Sequence, residues 1–463
     1  MDFSAANITL WSPIIQIGTI AGLILLANVL RRKIPFIRKT LMPTAVLAGF
    51  ILLLLKSFGI LQIINTEFLE SLTYHALALG FIAMSLRKPE KGSESGAMIG
   101  SKSGALIVST YLVQAVVGLV ISLGFAYTIM PDFFKASGIL LPMAYGQGPG
   151  QANNVGTTYQ VLGMDGGRSF GLSLAAAGYL CACLVGVIYL NLYNRKGKVN
   201  RESQDIVVSG SVTVDTFQDE NEIPIEESVD KLSVQVALVA LLYLFTYLIT
   251  WGITALLQAV APGVAGTVST LLWGFNFIIG SVVAMGCRTL FAGLRSIKWM
   301  NRQYQNNYLL SRISGLAFDL MIVAGIASIN IDDLKGYWVP FMLMAVAGGI
   351  VTFIYLRYMC RKLYSNYEYE GFFSMYGMLT GTISSGVLLL REIDPGFKTP
   401  AANNLVTGSS FGIVFGAPVL LLVSMAAKSD LMCWVVMGLI IIYLALLLLF
   451  IFKAGKGKKK ADA

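Results

Sequence analysis

Residues 145–160 read YGQGPGQANNVGTTYQ, and they decide how the fold of this chain is interpreted. The stretch contains four glycines, one proline, three glutamines and two asparagines, and it has no charged residue. It nevertheless lies between two apolar runs that suit a lipid environment. Because glycine and proline interrupt helices, the stretch predicts backbone that leaves the helical path inside an apolar region.

The composition of the whole chain is that of a polytopic membrane protein. Of its 463 residues, 56% are hydrophobic and 13% are charged, and the mean hydropathy is +0.71. A soluble protein of this length carries about 25% charged residues. The net charge of +9 is therefore interpreted as a signal of membrane topology, and no nucleic-acid partner is expected.

Apolar runs close to the spanning length of about 20 residues recur along the chain and predict transmembrane helices. Eleven are expected, at about 8–30, 41–61, 68–86, 104–130, 168–193, 233–258, 267–290, 309–330, 337–357, 403–427 and 431–452. Two further apolar segments, at about 137–163 and 371–392, are interrupted by glycine-rich polar residues and do not make ordinary spans.

Lysine and arginine concentrate in alternate connections between the predicted spans and indicate the orientation. The basic clusters lie at 31–39, 87–102, 195–198, 288–302 and 357–362. By the positive-inside rule these clusters are cytoplasmic, which predicts an N-terminus outside and a cytoplasmic C-terminus in a multi-pass inner or plasma membrane protein. The alternation holds only if both interrupted segments return to the side from which they start. Both are therefore predicted to be re-entrant.

An acidic, solvated stretch at 194–232 is interpreted as a cytoplasmic linker between two similar halves, 1–193 and 233–427. Five predicted spans separate equivalent positions of the halves, and an odd number of spans inverts orientation. The expected fold is an all-α polytopic membrane protein with two inverted five-helix repeats and two re-entrant hairpin loops. An extra transmembrane helix and a basic cytoplasmic tail follow at 428–463.

Uncharged polar side chains concentrate at the tips of both interrupted segments and predict a solute site at membrane depth. Irregular backbone is tolerated there where it lines a cavity, and broken helices offer N-termini to anions and free carbonyls to cations. The alternative for each tip is a glycine-rich seam for helix packing. The candidate substrate- and ion-binding residues are Gln147, Gly148, Gly150, Gln151, Asn153, Asn154, Thr157, Thr158, Thr380, Gly381, Thr382, Ser384 and Ser385.

Two charged residues in or beside the predicted spans are further candidates. Asp319, in the eighth span, is either a sodium or proton site or the structural partner of a basic group. Arg391 follows the second tip and either holds a carboxylate through two parallel hydrogen bonds or marks the cytoplasmic interface. Asp165 is interpreted as a turn residue, and His75 as an interfacial or packing residue.

The sequence offers little material for catalysis. It has one histidine and five scattered cysteines, so neither a catalytic triad nor a nitrogen and sulfur metal site is expected. The chain is therefore expected not to be an enzyme. Hydroxyl, amide and carbonyl oxygens at the tips favour Na⁺ over a proton as the coupling ion, although the sequence assigns no individual sodium ligand. No other cofactor is expected.

The chain resembles the bacterial sodium/glutamate symporters over most of residues 8–427. The resemblance rests on the order of spans, on LALGFIAMSL at 77–86, and on the glycine-rich segments before the fifth and tenth spans. It implies a homodimer that takes up glutamate or a related small carboxylate with sodium, by elevator-like alternating access. The first tip reads GQGPGQ at 146–151 where the family has roughly GGHGTG, and the helix at 431–452 is additional. A transporter of another organic anion or amino acid, or an ion channel, remains the alternative.

Overall fold

The computed structural model describes residues 2–35, 37, 42–61, 63–87, 94–194, 225–260, 262, 265, 269, 272–273, 276–300, 304–394 and 399–453. This part of the chain is α-helical and contains no β-strand. Apart from the groups at their ends, helices satisfy their backbone hydrogen bonds internally, which is what an apolar surrounding requires.

The helices are numbered here in chain order. Those of the first half are α1 (Ile8–Lys33), α2 (Thr44–Ser57), α3 (Thr66–Leu86), α4 (Glu94–Thr128), α5 (Leu140–Tyr145), α6 (Pro149–Val161) and α7 (Gly167–Asn194). Those that follow are α8 (Ile225–Val260), α9 (Asn276–Ser296), α10 (Asn307–Ala327), α11 (Trp338–Leu363), α12 (Glu368–Thr380), α13 (Ile383–Arg391), α14 (Ala401–Ala426) and α15 (Asp430–Lys453). Two 3₁₀ turns, Lys135–Ile139 and Ile331–Leu334, precede α5 and α11.

Ten helices in the described residues are long and apolar enough to cross a membrane. They are α1, α3, α4, α7, α8, α9, α10, α11, α14 and α15. The chain is therefore an all-α, multi-pass membrane protein, as its composition predicts. The segment predicted as a span at 41–61 contains α2, whose 14 residues extend about 21 Å. This is shorter than the hydrocarbon core of a bilayer, which is about 30 Å thick.

Two parts of the predicted organisation fall wholly or partly outside the described residues. Of the linker predicted at 194–232, residues 195–224 are outside, and the helix α8 already begins at Ile225. Most of residues 261–275 are also outside, and the span predicted at 267–290 is described from the start of α9.

Both segments that the sequence marks as interrupted consist of two short helices with a break between them. Residues 146–148 separate α5 from α6, and residues 381–382 separate α12 from α13. The longest of these four helices has 13 residues, which is too short to cross a bilayer alone.

The chain divides into two compact units, each of which draws helices from both halves of the sequence. The first unit contains α1, α2, α4 to α7 and α11 to α15. The second contains α8, α9 and most of α3 and α10.

Apolar side chains from its four helices form the core of the second unit. Its buried residues are Ile82, Ala83, Leu86, Val239, Leu242, Ala284 and Leu310. His75 belongs to this unit, where its Nδ1 lies 2.6 Å from the hydroxyl of Tyr243. This hydrogen bond agrees with a packing role for the single histidine.

In the first unit, α4 packs against α5, α11, α14 and α15. Its glycines allow the closest of these approaches. A Cβ atom on Gly118 would lie 2.0 Å from the carbonyl oxygen of Gly138, in the 3₁₀ turn before α5. A Cβ atom on Gly104 would lie 2.5 Å from Cβ of Phe411 in α14. Small residues thus let backbones touch, and they hold the first broken segment directly against α4.

Candidate functional site

The break in the first segment has a local cause in the sequence GQGP at 146–149. Pro149 has no backbone N–H, and a proline disfavours helical geometry at the residue before it. Gly148 takes φ +85° and ψ −175°, a region that glycine adopts without steric cost. Pro149 then occupies the first position of α6, where its missing N–H removes no helical hydrogen bond.

The break in the second segment uses glycine and an extended residue without a proline. The first helix, α12, ends at Thr380, and Thr382 is extended at φ −143° and ψ 173° before α13 begins. The two helices fold back on each other through small residues. A Cβ atom on Gly377 would lie 2.7 Å from the carbonyl oxygen of Ser385, and one on Gly386 would lie 2.4 Å from that of Ser374. The segment is therefore a helical hairpin.

The tips of the two broken segments lie against each other inside the first unit. A Cβ atom on Gly148 would be 3.6 Å from the carbonyl oxygen of Gly381 and 3.6 Å from Cγ2 of Thr382. The helix α7 adjoins the same place, because a Cβ atom on Gly178 would lie 2.3 Å from the carbonyl oxygen of Thr380. We call this meeting point of residues 146–151 and 380–385 the tip junction.

Several buried polar atoms at or next to the tip junction have no hydrogen-bond partner among the described residues. On α6 they are both amide atoms of Gln151 and Oδ1 of Asn153. On the second segment they are the hydroxyls of Tyr376, Thr382 and Ser385. Gln151 and Tyr376 are 0% exposed. A buried polar group without a partner costs about 1–3 kcal/mol, and folded proteins contain few of them. The junction is therefore suited to bind a polar solute, an ion or ordered water.

The remaining candidates of the first tip differ in what their side chains contact. Gln147 lies in the break and is partly buried, while Gly150 and Asn154 are buried in the first turns of α6. The hydroxyl of Thr158 donates to the carbonyl of Asn154, within its own helix. Thr157, the residue before Thr158 in α6, is exposed, whereas Asn154 and Thr158 are buried. The structure thus separates Thr157 from the rest of the set.

The candidates of the second segment also differ in what they contact. The hydroxyl of Thr380 donates to the carbonyl of Tyr376 at 2.7 Å, within α12. A Cβ atom on Gly381 would be 2.9 Å from the hydroxyl oxygen of Ser385, which shows how closely the turn is closed. The side chains of Ser384 and Arg391 lie outside the described part of the structure.

Neither Asp319 nor Asp165 is among the residues of the tip junction. Asp319 is on α10 in the second unit, and its side chain is exposed. Asp165 is exposed in the turn between α6 and α7, where the sequence predicts a turn residue.

Sequence reasoning missed polar residues on the neighbouring helices. Gln114 of α4 donates from Nε2 to the hydroxyl of Thr352 on α11 and to the carbonyl of Leu379 on α12, both at 2.9 Å. Tyr145 donates to the carbonyl of Ala345 on α11 at 2.6 Å. The available signal for Gln114 was a single amide in the apolar run YLVQAVVGLV at 111–120. It lies in a continuous apolar run outside both interrupted segments, so the pattern of the tips does not point to it.

Helix ends supply the electrostatics of the tip junction. The N-termini of α6 and α13 carry partial positive charge, and the C-termini of α5 and α12 carry partial negative charge. The described residues contain no group of three or more His, Cys, Asp or Glu that could hold a metal ion. The junction thus offers oriented dipoles and neutral side chains, which suit an anionic group at the N-termini and a hard cation at the carbonyls.

A comparison with models of known protein families found no match, and a comparison with curated proteins found none either. The structural support for a function therefore comes from the tip junction.

Proposed function

We propose that this chain is a secondary active transporter that carries glutamate or a related small carboxylate together with Na⁺. One observation carries the proposal, namely that two broken helical segments meet tip to tip around buried, unpaired polar atoms. Secondary transporters bind their substrates between discontinuous helices of this kind, with half-helix N-termini toward anionic groups and free carbonyls toward cations. The choice of a carboxylate substrate and of Na⁺ follows from the resemblance to the sodium/glutamate symporters.

Both broken segments are proposed to be re-entrant. In the first, the ring of Phe134, which precedes the segment, and the ring of Tyr159, in the last turn of α6, have centroids 5.2 Å apart. In the second, the amide of Asn404 donates to the hydroxyl of Tyr367 at 2.8 Å, again joining residues on either side of the segment. Ends that lie together support the proposal that each segment returns to the side of the membrane from which it starts.

The proposed inverted repeats are supported by two crosswise hydrogen bonds. The helix α4 of the first half holds the second broken segment through Gln114 and Leu379. The helix α11 of the second half holds the first broken segment through Ala345 and Tyr145. Each half thus supplies a helix that holds the broken segment of the other half. This exchange is expected of two halves related by a pseudo-two-fold axis.

In the proposed mechanism the first unit carries the substrate. All the residues of the tip junction belong to this unit, while α8, α9 and most of α3 and α10 form the other. A site carried entirely by one compact unit suits elevator-like alternating access, in which that unit moves as a rigid body. The homodimer that the resemblance implies belongs to the same proposal. The roles of Arg391 and Asp319 as substrate or ion ligands remain predictions.

Sodium-driven accumulation is the first test of this proposal. Purified protein in liposomes is expected to concentrate radiolabelled glutamate when Na⁺ is supplied outside and choline inside, and to show saturable counterflow. The reason is that neutral oxygens at the junction can bind Na⁺ but offer few groups that titrate near neutral pH. Uptake that follows a proton gradient without sodium would contradict sodium coupling. Non-saturable flux without counterflow would indicate a channel instead.

The proposed orientation is tested by labelling from each side of the membrane. Cysteines introduced as Ser4→Cys and Gly457→Cys are expected to react with impermeant reagents on opposite sides, Ser4→Cys outside and Gly457→Cys in the cytoplasm. Gly457 lies outside the described residues, so this expectation comes from the lysine and arginine pattern alone. Labelling of both positions from one side would contradict the inverted repeats.

A further inference from the structure

Gln114 is a buried amide that connects three helices of the first unit. Its side chain is 0% exposed in the middle of α4. Its Nε2 donates to the hydroxyl of Thr352 and to the carbonyl of Leu379, each at 2.9 Å. Leu379 is in the last turn of α12, where carbonyls have no donor within their own helix. Gln114, on a helix of the first half, thus binds the carbonyl end of α12 in the second broken segment.

The chemistry of its partners determines which way the amide of Gln114 points. The carbonyl of Leu379 can only accept a hydrogen bond, so the atom facing it must be the nitrogen. The oxygen, Oε1, is consequently turned away from Leu379. It is buried and has no partner among the described residues. Such an acceptor is completed by a cation or by a hydrogen-bond donor.

The unpaired polar atoms of the second segment favour a cation. They are the hydroxyl oxygens of Tyr376, Thr382 and Ser385, which lie between four residues before and five residues after Thr380, the last residue of α12. A neutral set made only of oxygens matches a hard monovalent ion. Transition metals prefer nitrogen and sulfur ligands, and Ca²⁺ or Mg²⁺ sites usually include carboxylates. The described residues provide no His, Cys, Asp or Glu cluster for such metals.

We propose that Oε1 of Gln114 is a ligand for Na⁺ bound at the carbonyl end of α12. This inference rests on the proposed function and assigns the coupling ion to the second segment and α4. An ion held there contacts residues that are more than half the chain apart in sequence, because Gln114 and Leu379 are separated by 265 positions. Its binding therefore stabilises the closed tip junction, to which the carboxylate substrate then binds.

The test is the sodium response of the purified, full-length protein without substrate. Thermal stability is measured over a titration with NaCl, with choline chloride added to keep the ionic strength constant. A ligand at concentration c that binds only the folded state raises its free energy of unfolding by RT ln(1 + c/Kd), so the titration yields Kd, the sodium concentration at half-saturation. Gln114→Met keeps the length of the side chain but removes the oxygen, so half-saturation by sodium is expected to rise by about 10-fold or more. In choline chloride alone, the thermal stability of the wild-type protein is expected not to increase.

Two matched variants separate a ligand from a structural role. Thr110→Val removes a buried hydroxyl one turn earlier on α4, which donates only to the carbonyl of Leu106 in its own helix. Thr352→Val removes one partner of the Gln114 amide and leaves Oε1 in place. Both are expected to keep the sodium half-saturation within about 3-fold of the wild type, since neither takes away the proposed ligand. A loss in Thr352→Val equal to that in Gln114→Met would assign Gln114 a structural role and overturn the inference.

The outcomes distinguish this inference from the proposed function. If wild-type protein responds to sodium and Gln114→Met responds equally, the ion binds elsewhere and the inference is wrong, while sodium coupling stands. If wild-type protein shows neither sodium stabilisation nor sodium-driven uptake, the coupling itself is wrong. Should Gln114→Met fail to insert, Gln114→Asn provides the same readout, because its shorter side chain withdraws the oxygen while keeping the amide. A full sodium response in that variant would also contradict the inference.

Discussion

Replacement of Gln151 with leucine is expected to abolish transport and, at the same time, to raise the thermal stability of the substrate-free protein. Gln151 is 0% exposed, and neither of its amide atoms has a described partner. An apolar side chain of similar size removes an unsatisfied group that costs about 1–3 kcal/mol. We expect an increase in Tm of about 2 °C or more. Specific transport is expected to fall by about 100-fold or more, because the substrate then buries its polar groups against leucine.

Gln16 provides the matched control for Gln151. It is also a buried glutamine, 2% exposed on α1, but its amide donates to Ser12 and accepts from the backbone N–H of Asn65. Gln16→Leu is therefore expected to lower Tm and to leave transport per inserted molecule close to normal. Tm is measured for both variants in the same detergent, and specific transport is measured for both in the same liposomes. If Gln151→Leu lowered stability without changing specific transport, Gln151 would be a structural residue and the binding site would lie elsewhere.

The second large effect is expected for Gly148→Val at the first tip. Gly148, at φ +85° and ψ −175°, lies in a region that is almost restricted to glycine and costs another residue about 1–3 kcal/mol, and a β-branched side chain is the least adaptable there. The added atoms also fill the space toward Gly381 and Thr382, where a Cβ atom would already lie 3.6 Å from each residue. Uptake of glutamate per inserted molecule is expected to be undetectable.

Gly163→Val separates backbone strain from obstruction of the site. Gly163 has φ +103° in the turn after α6, and a Cβ atom there would meet nothing within 4 Å. The variant therefore also strains the backbone through a positive φ, but in open space, so it is expected to lose stability and to retain specific transport. Gly381→Val tests obstruction at the second tip without a positive φ, because φ of Gly381 is −138° and the new side chain would meet Ser385 and Tyr179. It is expected to lose specific transport as Gly148→Val does. Near-normal specific transport in Gly148→Val would mean that the tip junction is a packing seam.

The candidate site was only partly predictable from the sequence, and the two tips show why. Gln151, Thr157 and Thr158 have similar polarity in the sequence, but α6 begins at Pro149 and turns by about 100° per residue. This rotation leaves Thr157 exposed and buries Gln151 and Thr158. A hydroxyl can also be used within its own helix, as that of Thr158 is, whereas the longer amide of Gln151 is left unpaired. Composition does not distinguish these cases.

The sequence by itself determined that this is a helical membrane protein and where its two segments break. Hydrophobic length and the positions of glycine and proline are local properties, and they act on the backbone within a few residues. Only the tertiary structure decided that Gly148 lies against Gly381, and that Gln114 donates to Leu379. It also decided which buried amides are paired. The physical reason is that a hydrogen bond between distant segments depends on how the helices pack, and no local pattern of residues specifies that packing.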